Sequence, residues 1–167
     1  MVIYPKLSAS NVTPVTLANS TTETIMGTLN IPGGTLVAGS VIEGACIGNL
    51  STYSVGNVGI TANLRIGGLA GPAIATLELM ATPAQANAPY WFGFHAACVT
   101  SGSAATWTGS IHDIDVLTGL AANVDVQTTP VEASSLIEQA LVFTLTWGAA
   151  STSNTLTTVM TAFDQVV

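Results

Sequence analysis

The strongest constraint on the fold of this chain comes from residues 139–167, QALVFTLTWGAASTSNTLTTVMTAFDQVV. In its first half every second residue is large and apolar: Leu141, Phe143, Leu145 and Trp147. Successive side chains of a β-strand point to opposite faces, so a repeat of two predicts a strand with one buried face.

The second half of this segment follows a small polar turn at residues 151–154. One feature there is ambiguous, because apolar side chains also recur with the spacing of a helix: Leu156, Val159, Met160 and Phe163. The many threonines favour a strand, since β-branched side chains suit a pleated sheet. We therefore predict a hairpin of two long strands.

Shorter segments with the same repeat precede this hairpin and are separated by Gly, Pro and Asn turns. We predict strands at residues 22–31, 40–51, 57–68, 73–80, 90–100 and 104–117, and a short strand at Val124 and Val126. The Ala and Leu content of residues 73–80 also suits a short helix. Eight or nine strands without a long helix predict an all-β sandwich or barrel.

Four details of these strands are specific enough to check. Ile25 is expected to share the inner face with Gly27, and Met26 to point outward. Gly44 and Gly48 indicate a bulge or the close approach of an aromatic ring. The strand at residues 90–100 has apolar residues on both faces and is expected to be covered on both sides. In residues 104–117 the inner face changes phase near His112, which predicts a β-bulge there.

Residues 1–20 contain two prolines and only fragments of alternation, so we predict an extended N-terminal arm before a domain at residues 21–167. The apolar residues of this arm are the candidates for contact with another protein. They are Val2, Ile3, Tyr4, Leu7, Val12, Val15 and Leu17.

The charge content excludes several classes of function. Only 7% of the residues are charged, against about 25% in an ordinary soluble domain, and the net charge is −7. Lys6 and Arg65 are the only basic residues besides histidine, too few for a nucleic-acid surface. No apolar run is long enough for a membrane span, and the first residues lack the pattern of a secretory signal. So few charges protect a monomer poorly against association, so we expect much of the surface to contact other subunits.

Few residues suggest chemistry. Cys46 and Cys98 lie in apolar strands and are expected to be free, buried thiols, with a disulfide between them as the alternative. His112, Asp113 and Asp115 form the densest polar cluster, which could bind Ca²⁺ or could simply face water.

Catalysis and sugar binding have weaker support in the sequence. A triad could be drawn from Cys98 or a serine, His95 or His112, and an aspartate, but no nucleophile elbow is present. His95 is more simply a packed residue. The tryptophans at 91, 107 and 147 lie mid-strand and indicate core positions, with an exposed sugar-binding platform as the alternative. We predict neither enzymatic activity nor a cofactor.

Three segments resemble small jelly-roll virion proteins of tailed bacteriophages. They are TTETIMGTLNIPGGTLVAGSVIEGACIGNLST, then ITANLRIGG, and then ALVFTLTWGAASTSNTLTTVMTAFDQV. In that family an opening strand, an Ile-Pro-x-Gly-Thr-Leu turn and a Leu-Arg-Ile-Gly-Gly strand precede a closing hairpin. The likeness touches most of residues 22–165 and concerns structural motifs.

The resemblance implies a single jelly roll, an antiparallel β-sandwich, that serves as a capsid decoration or cement protein. Its partners would be the major capsid protein and further copies of itself, often as a homotrimer, on the outer capsid surface after assembly in the bacterial cytoplasm. The alternative is a head-fibre or tail-associated protein that binds a receptor or glycan through the loops at residues 81–89 or 118–123. These loops contain no Trp, Tyr or Phe, which favours cement.

Overall fold

The computed structural model describes residues 6–52, 58–81, 83–113, 124–126 and 129–166. These residues form β1 Ser8–Asn11, β2 Val15–Ala18, β3 Thr24–Ile31, β4 Val41–Ser51, β5 Val58–Ile66, β6 Ala73–Ala81, β7 Ala88–Cys98, β8 Thr106–Asp113, β9 Val124–Val126, β10 Val131–Glu132, β11 Gln139–Trp147 and β12 Thr155–Gln165. Residues 73–81 are a strand, not a helix. Across these ranges no helix is long and apolar enough to span a membrane.

The strands form two antiparallel sheets that pack as a sandwich. The first sheet has the order β1-β12-β4-β7-β8-β10, with β2 also on β12 and β9 also on β8. The second has the order β3-β11-β5-β6. A jelly roll has eight strands in two four-stranded sheets. Here β1 and β2 together act as its first strand, so one sheet is β1/β2-β12-β4-β7 and the other is β3-β11-β5-β6. Strands β8, β9 and β10 extend the first of these sheets. The prediction of an all-β sandwich of the jelly-roll type is confirmed.

A β-bulge explains the helix-like spacing in the final strand. The register of β12 against β4 shifts between Thr158 and Met160, which leaves Val159 as an extra, exposed residue. Thr158 and Thr161 therefore both face the core, three positions apart. An inserted residue changes the phase of a strand by one, and this imitates a helical repeat without forming a helix.

A second irregularity reverses the predicted faces at the beginning of β3, whereas Leu29 and Ile31 are buried as predicted. Met26 is fully buried and Ile25 is 36% exposed, the reverse of the expectation. The β3–β11 register passes from Gly27 opposite Phe143 to Ile25 opposite Thr144, so Met26 has no partner in the ladder. The Thr161 hydroxyl donates to the Met26 carbonyl at 2.9 Å, which ties this irregular point to the other sheet.

The bulge predicted near His112 is wrong. β8 pairs with β7 without a shift from Trp107 to Asp113. Asp113 keeps its place on the inner face, where it is buried and has an interaction partner. A polar residue that finds a partner inside needs no change of phase, so the alternation simply continues.

The prediction that β7 is covered on both faces is also wrong. This strand is central, between β4 and β8, and its inner face is buried. Its outer face is open, with Trp91 48% exposed and His95 exposed. The sandwich has only two layers, so even a central strand has one face without a covering sheet.

Aromatic rings fill the space between the sheets. Phe94 of the first sheet stacks on Phe143 of the second with ring centroids 4.9 Å apart. A side chain at Gly44 would overlap the Phe94 ring, and one at Gly48 would overlap the Tyr90 hydroxyl. The predicted approach of aromatic rings to these two glycines is confirmed.

The described part of the predicted arm, from residue 6 onward, is hydrogen-bonded to the first sheet. β1 pairs with the end of β12 and β2 with its beginning. Leu17 is 3% exposed and belongs to the core. The described part of this segment consists of two strands that form the outer edge of the first sheet.

Candidate binding surfaces

Of the seven arm residues predicted to contact a capsid, the four that the structure describes do not form one surface. Val2, Ile3 and Tyr4 lie outside the described residues. Leu17 is buried, and Leu7 and Val15 pack against the core. Val12 is 71% exposed and is the described arm residue best placed for an external contact. Contact of this segment with a capsid stays a prediction.

The cysteines are free and buried, as predicted. Burial raises the pKa of both thiols, because the thiolate loses its hydration. The Cys98 thiol donates to the Thr100 carbonyl at 3.1 Å on the inner side of β7, whereas His95 lies on the outer side of the same strand. Cys98 and His95 therefore do not form the nucleophile–base pair that the sequence suggested.

One row of side chains resembles a catalytic triad in its order. Ser110 Oγ lies 3.4 Å from His95 Nδ1, and His95 Nε2 lies 3.6 Å from Glu43 Oε2. The row crosses three paired strands, so the backbone N–H groups beside it belong to the sheet ladders and offer no oxyanion site. We regard it as a polar stripe on the outer face of the first sheet.

The possible Ca²⁺ cluster gains no support from the described geometry. Asp113 is buried on the inner face, and Asp115 lies outside the described residues. Where side chains are described, no three His, Cys, Asp or Glu residues converge in the way a metal site needs.

Both basic side chains are already paired with carboxylates. Arg65 donates to Glu23 through Nε at 2.7 Å and through a terminal nitrogen at 3.0 Å. Asn63 and Thr144 donate to the same carboxylate. Burial alone would raise the pKa of Glu23, but these hydrogen bonds and the Arg65 charge together hold it below its usual value. Lys6 pairs with an exposed aspartate.

The first candidate surface is one end of the sandwich, which we call the loop end. It comprises the loops at residues 32–40, 67–72, 99–105 and 133–138, which meet where β3, β5 and β7 end and β11 begins. Large apolar side chains are exposed there: Val37, Leu69, Val99, Leu136, Ile137 and Val166. Leu136 and Ile137 are the most open of these, at 60% and 61% exposure.

Hydrogen bonds join three of the four loops at this end to one another. Ser135 links three of them: its carbonyl accepts from Gly34 N at 2.7 Å, its amide donates to the Gly102 carbonyl at 3.0 Å, and its hydroxyl accepts from Gly102 N at 2.9 Å. Gly39 N donates to the Cys98 carbonyl at 2.8 Å. The linked loops carry four of the exposed apolar side chains: Val37, Val99, Leu136 and Ile137.

The second candidate surface is the outer face of the first sheet around Trp91, which we call the Trp91 face. Trp91 lies opposite Ile47, and Asn49 is the next outward residue of β4. The polar stripe with His95 lies farther along β7 and borders a pocket of about 200 Å³. Ring stacking at 5.6 Å joins His95 to His112.

The prediction for the three tryptophans was right for two and wrong for one. Trp107 and Trp147 are buried, and each indole donates to a backbone carbonyl, at 2.8 and 3.3 Å. Trp91 is exposed on the Trp91 face. The sequence did contain a sign of this exposure. Trp91 alternates with the buried aromatic residues of β7 and therefore lies on the opposite face, together with Pro89 and His95.

No family model matches the sequence, and no curated protein matches it. Among solved structures, it is similar to a protein of Bacillus endospore appendages, described as disulfide-linked pili, at 11% identity and a TM-score of 0.37 over all of this chain and 96% of that one. A CBM2 module of the evolved Dit of Lactobacillus casei BL23 phage J-1 matches at 12% identity and 0.40, over 84% and 70%. The sugar-binding C-terminal domain of EclA matches at 10% and 0.34, over 97% and 81%. These values are too low to assign a family or a role, and what is established for this chain is its β-sandwich fold.

Proposed function

We propose that this protein is a structural virion protein of a tailed phage, a cement or decoration protein that docks on the outer surface of the major capsid protein through the loop end. The observation that carries the proposal is the set of apolar side chains exposed at one end of the sandwich, where Ser135 joins three of the four loops by hydrogen bonds. Exposed apolar clusters of this kind mark contacts with other proteins.

The loop end suits stable docking for two physical reasons. Leu136 and Ile137 can each transfer most of a side chain from water into an interface, which is the main source of binding free energy. The hydrogen bonds that Ser135 makes to neighbouring loops hold this surface in shape before binding, so little conformational entropy is lost on docking.

The charge pattern favours a role in a packed assembly. Both basic side chains are neutralised within the protein, so attraction to nucleic acid is not available to drive binding. With so few charges, the surface can be buried between subunits at a small cost in desolvation. A homotrimer on the shell and the resemblance to phage jelly-roll proteins fit this proposal, in which catalysis has no part.

Cosedimentation with shells of the major capsid protein of the same virus tests the proposal. We expect the unaltered protein to sediment with the shells, a double variant L136S/I137S to stay in the supernatant, and V159S to sediment normally. Val159 is exposed on the first sheet, away from the loop end, and matches the change in polarity. Normal sedimentation of the double variant, or no binding by the unaltered protein, would overturn the proposal.

The contribution of the arm needs a point variant. Deletion of residues 1–20 would remove β1 and β2 and expose the edge of β12, so a loss of binding would have two explanations. V12S alters the most exposed described residue of the arm without touching a strand pairing. Weaker cosedimentation of V12S would support the arm contact, and unchanged binding would argue against it.

A head-fibre or tail-associated receptor-binding role is the second candidate, and the exposure of Trp91 is the observation that favours it. The two roles differ in the number of copies on each particle. A band of intensity comparable to the major capsid protein on a stained gel of purified virions supports cement, and a few copies per particle support the tail or fibre role.

A further inference from the structure

The Trp91 face has properties that docking through the loop end leaves unexplained. Trp91 is the exposed member of the three tryptophans and stands in the middle of a sheet rather than on a loop. The other two donate their indole N–H groups to backbone carbonyls. Among the described residues the indole of Trp91 has no hydrogen-bond partner, so its donor remains available at the surface.

A second unpaired polar group lies beside this ring. Asn49 is half-buried on the outer side of β4, diagonally adjacent to Trp91 across the β4–β7 pairing. Its amide likewise has no partner among the described side chains and backbone groups. Diagonal neighbours in a sheet are within reach of long side chains, so one ligand can contact the indole ring and the amide together.

Farther along β7 the face becomes polar. Gly93 follows Trp91 on the outer side of β7, and the His112 ring lies directly over the space that a side chain would fill there. Beyond it come His95 and Glu43, both about half exposed. From Trp91 to His95 the outer side of β7 runs for about 13 Å, four strand residues.

We propose that the Trp91 face is a binding site for a neutral carbohydrate. The apolar face of a sugar ring packs on the exposed indole, while sugar hydroxyls accept from the indole N–H and exchange hydrogen bonds with Asn49. Farther hydroxyls reach His95 and Glu43 along the strand. This site is separate from the loop end and goes beyond the docking role proposed above.

The charges around the face select the class of sugar. Glu43 is negative, and Asp164 occupies the matching outward position on β12. The nearest basic side chain is Lys6, which is held at 2.8 Å by Asp164, whereas Arg65 lies on the second sheet. An acidic sugar would bring its carboxylate or phosphate to a surface without a free cation, so neutral hexose or N-acetylhexosamine chains are favoured over sialylated or phosphorylated ones.

An array of neutral, sialylated and phosphorylated oligosaccharides, probed with the full chain, tests the site. We expect binding to neutral members, followed by a loss of at least about tenfold in affinity for W91A in calorimetric titration. W91F should retain part of the affinity because a ring remains. V159A is the matched control, an apolar truncation on the same sheet that should bind as the unaltered protein does.

Three results would overturn the proposal: no binding to any neutral oligosaccharide, equal affinity of W91A and the unaltered protein, or equal losses in W91A and V159A. The last would show that the loss follows from removal of exposed apolar surface in general and not from the indole ring. Circular dichroism and thermal melting of W91A verify that the sandwich is intact. W91A should still cosediment with capsid shells, because docking depends on Leu136 and Ile137. Failure of the sugar site can therefore be distinguished from failure of the docking role.

Discussion

The hydroxyl groups of Tyr90 and Thr158 lie 2.7 Å apart in the interior of the first sheet, and the two residues are joined across Gly48. Tyr90 on β7 and Thr158 on β12 are both register partners of Gly48 on the strand between them. The glycine has no side chain, so the Tyr90 ring can cross its strand and reach the threonine. Three strands thus share one buried polar contact, to which the thiol of Cys46 and the sulfur of Met26 are also linked.

Substitution T158V should lower the free energy of unfolding by about 1–3 kcal/mol, because it leaves the buried Tyr90 hydroxyl without this partner. Y90F should lower the free energy of unfolding by less, because the Thr158 hydroxyl that remains still contacts the sulfur atoms of Met26 and Cys46. In urea denaturation the double variant T158V/Y90F should cost less than the sum of the two single changes, because no hydroxyl remains unpaired. Simple additivity would show that the two hydroxyls do not interact.

Substitution G44A should destabilise the protein by about 1–3 kcal/mol. A Cβ at Gly44 would overlap both the Phe94 ring and the Ala162 carbonyl, so the backbone of β4 or β12 must shift. G59A is the matched control on β5, where the nearest atoms are 3.9 Å away. Thermal melting of both variants should show a clear decrease for G44A and little change for G59A; similar melting temperatures would contradict the packing at Gly44.

The Glu23 network predicts a loss of stability in acid. The pKa of Glu23 is lower in the folded protein than in the unfolded chain. Its contribution to stability is therefore complete above the pKa of the unfolded chain and is lost as the pH falls through the lower pKa of the folded protein. E23Q should cost about 1–2 kcal/mol at pH 7, since a carboxylate that accepts several hydrogen bonds is replaced.

Urea denaturation at pH 7 and at pH 3 measures this effect. The difference between the two pH values should be smaller in E23Q than in the unaltered protein. D164N is the control, because Asp164 makes an exposed ion pair with Lys6 that contributes little. An unchanged pH dependence in E23Q would show that the Glu23 carboxylate is not the group responsible.

The two thiols should react with a disulfide reagent only after unfolding. Cys46 and Cys98 are buried, and burial raises the pKa of each, so the reactive thiolate is scarce and shielded. In native buffer we expect no rapid modification, and in denaturant two thiols per chain. V159C places a thiol at an exposed position and should react at once. Rapid reaction of the unaltered protein would contradict the buried placement.

The alternation of side chains predicted most of the long strands, because burial of one face is written directly into a repeat of two. β5 and β11 match their predicted segments closely, and the glycines at 44 and 48 indicated the aromatic rings that cross them. The errors fall where the repeat is interrupted or where neither face is distinctly polar. Met26 and Val159 lie at register shifts. A shift depends on the partner strand, which in both cases lies more than a hundred residues away in the chain.

The candidate surfaces could not be predicted from the alternation of side chains. Leu136 and Ile137 share one loop, and Val37 and Val99 come from two others. The three loops meet only because the flanking strands end on the same side of the sandwich. The exposure of Trp91 depends on how many layers the domain has, and the pattern within β7 does not state that number.

By itself, therefore, the sequence determined that this chain forms antiparallel strands around an apolar core with few charges outside it, since those properties follow from local alternation and composition. The tertiary structure decided that the N-terminal segment closes the edge of the first sheet, that Trp91 faces outward, and that apolar loops gather at one end. These outcomes depend on which strands pair and which faces the second layer covers, and both are set by contacts between residues far apart in the chain.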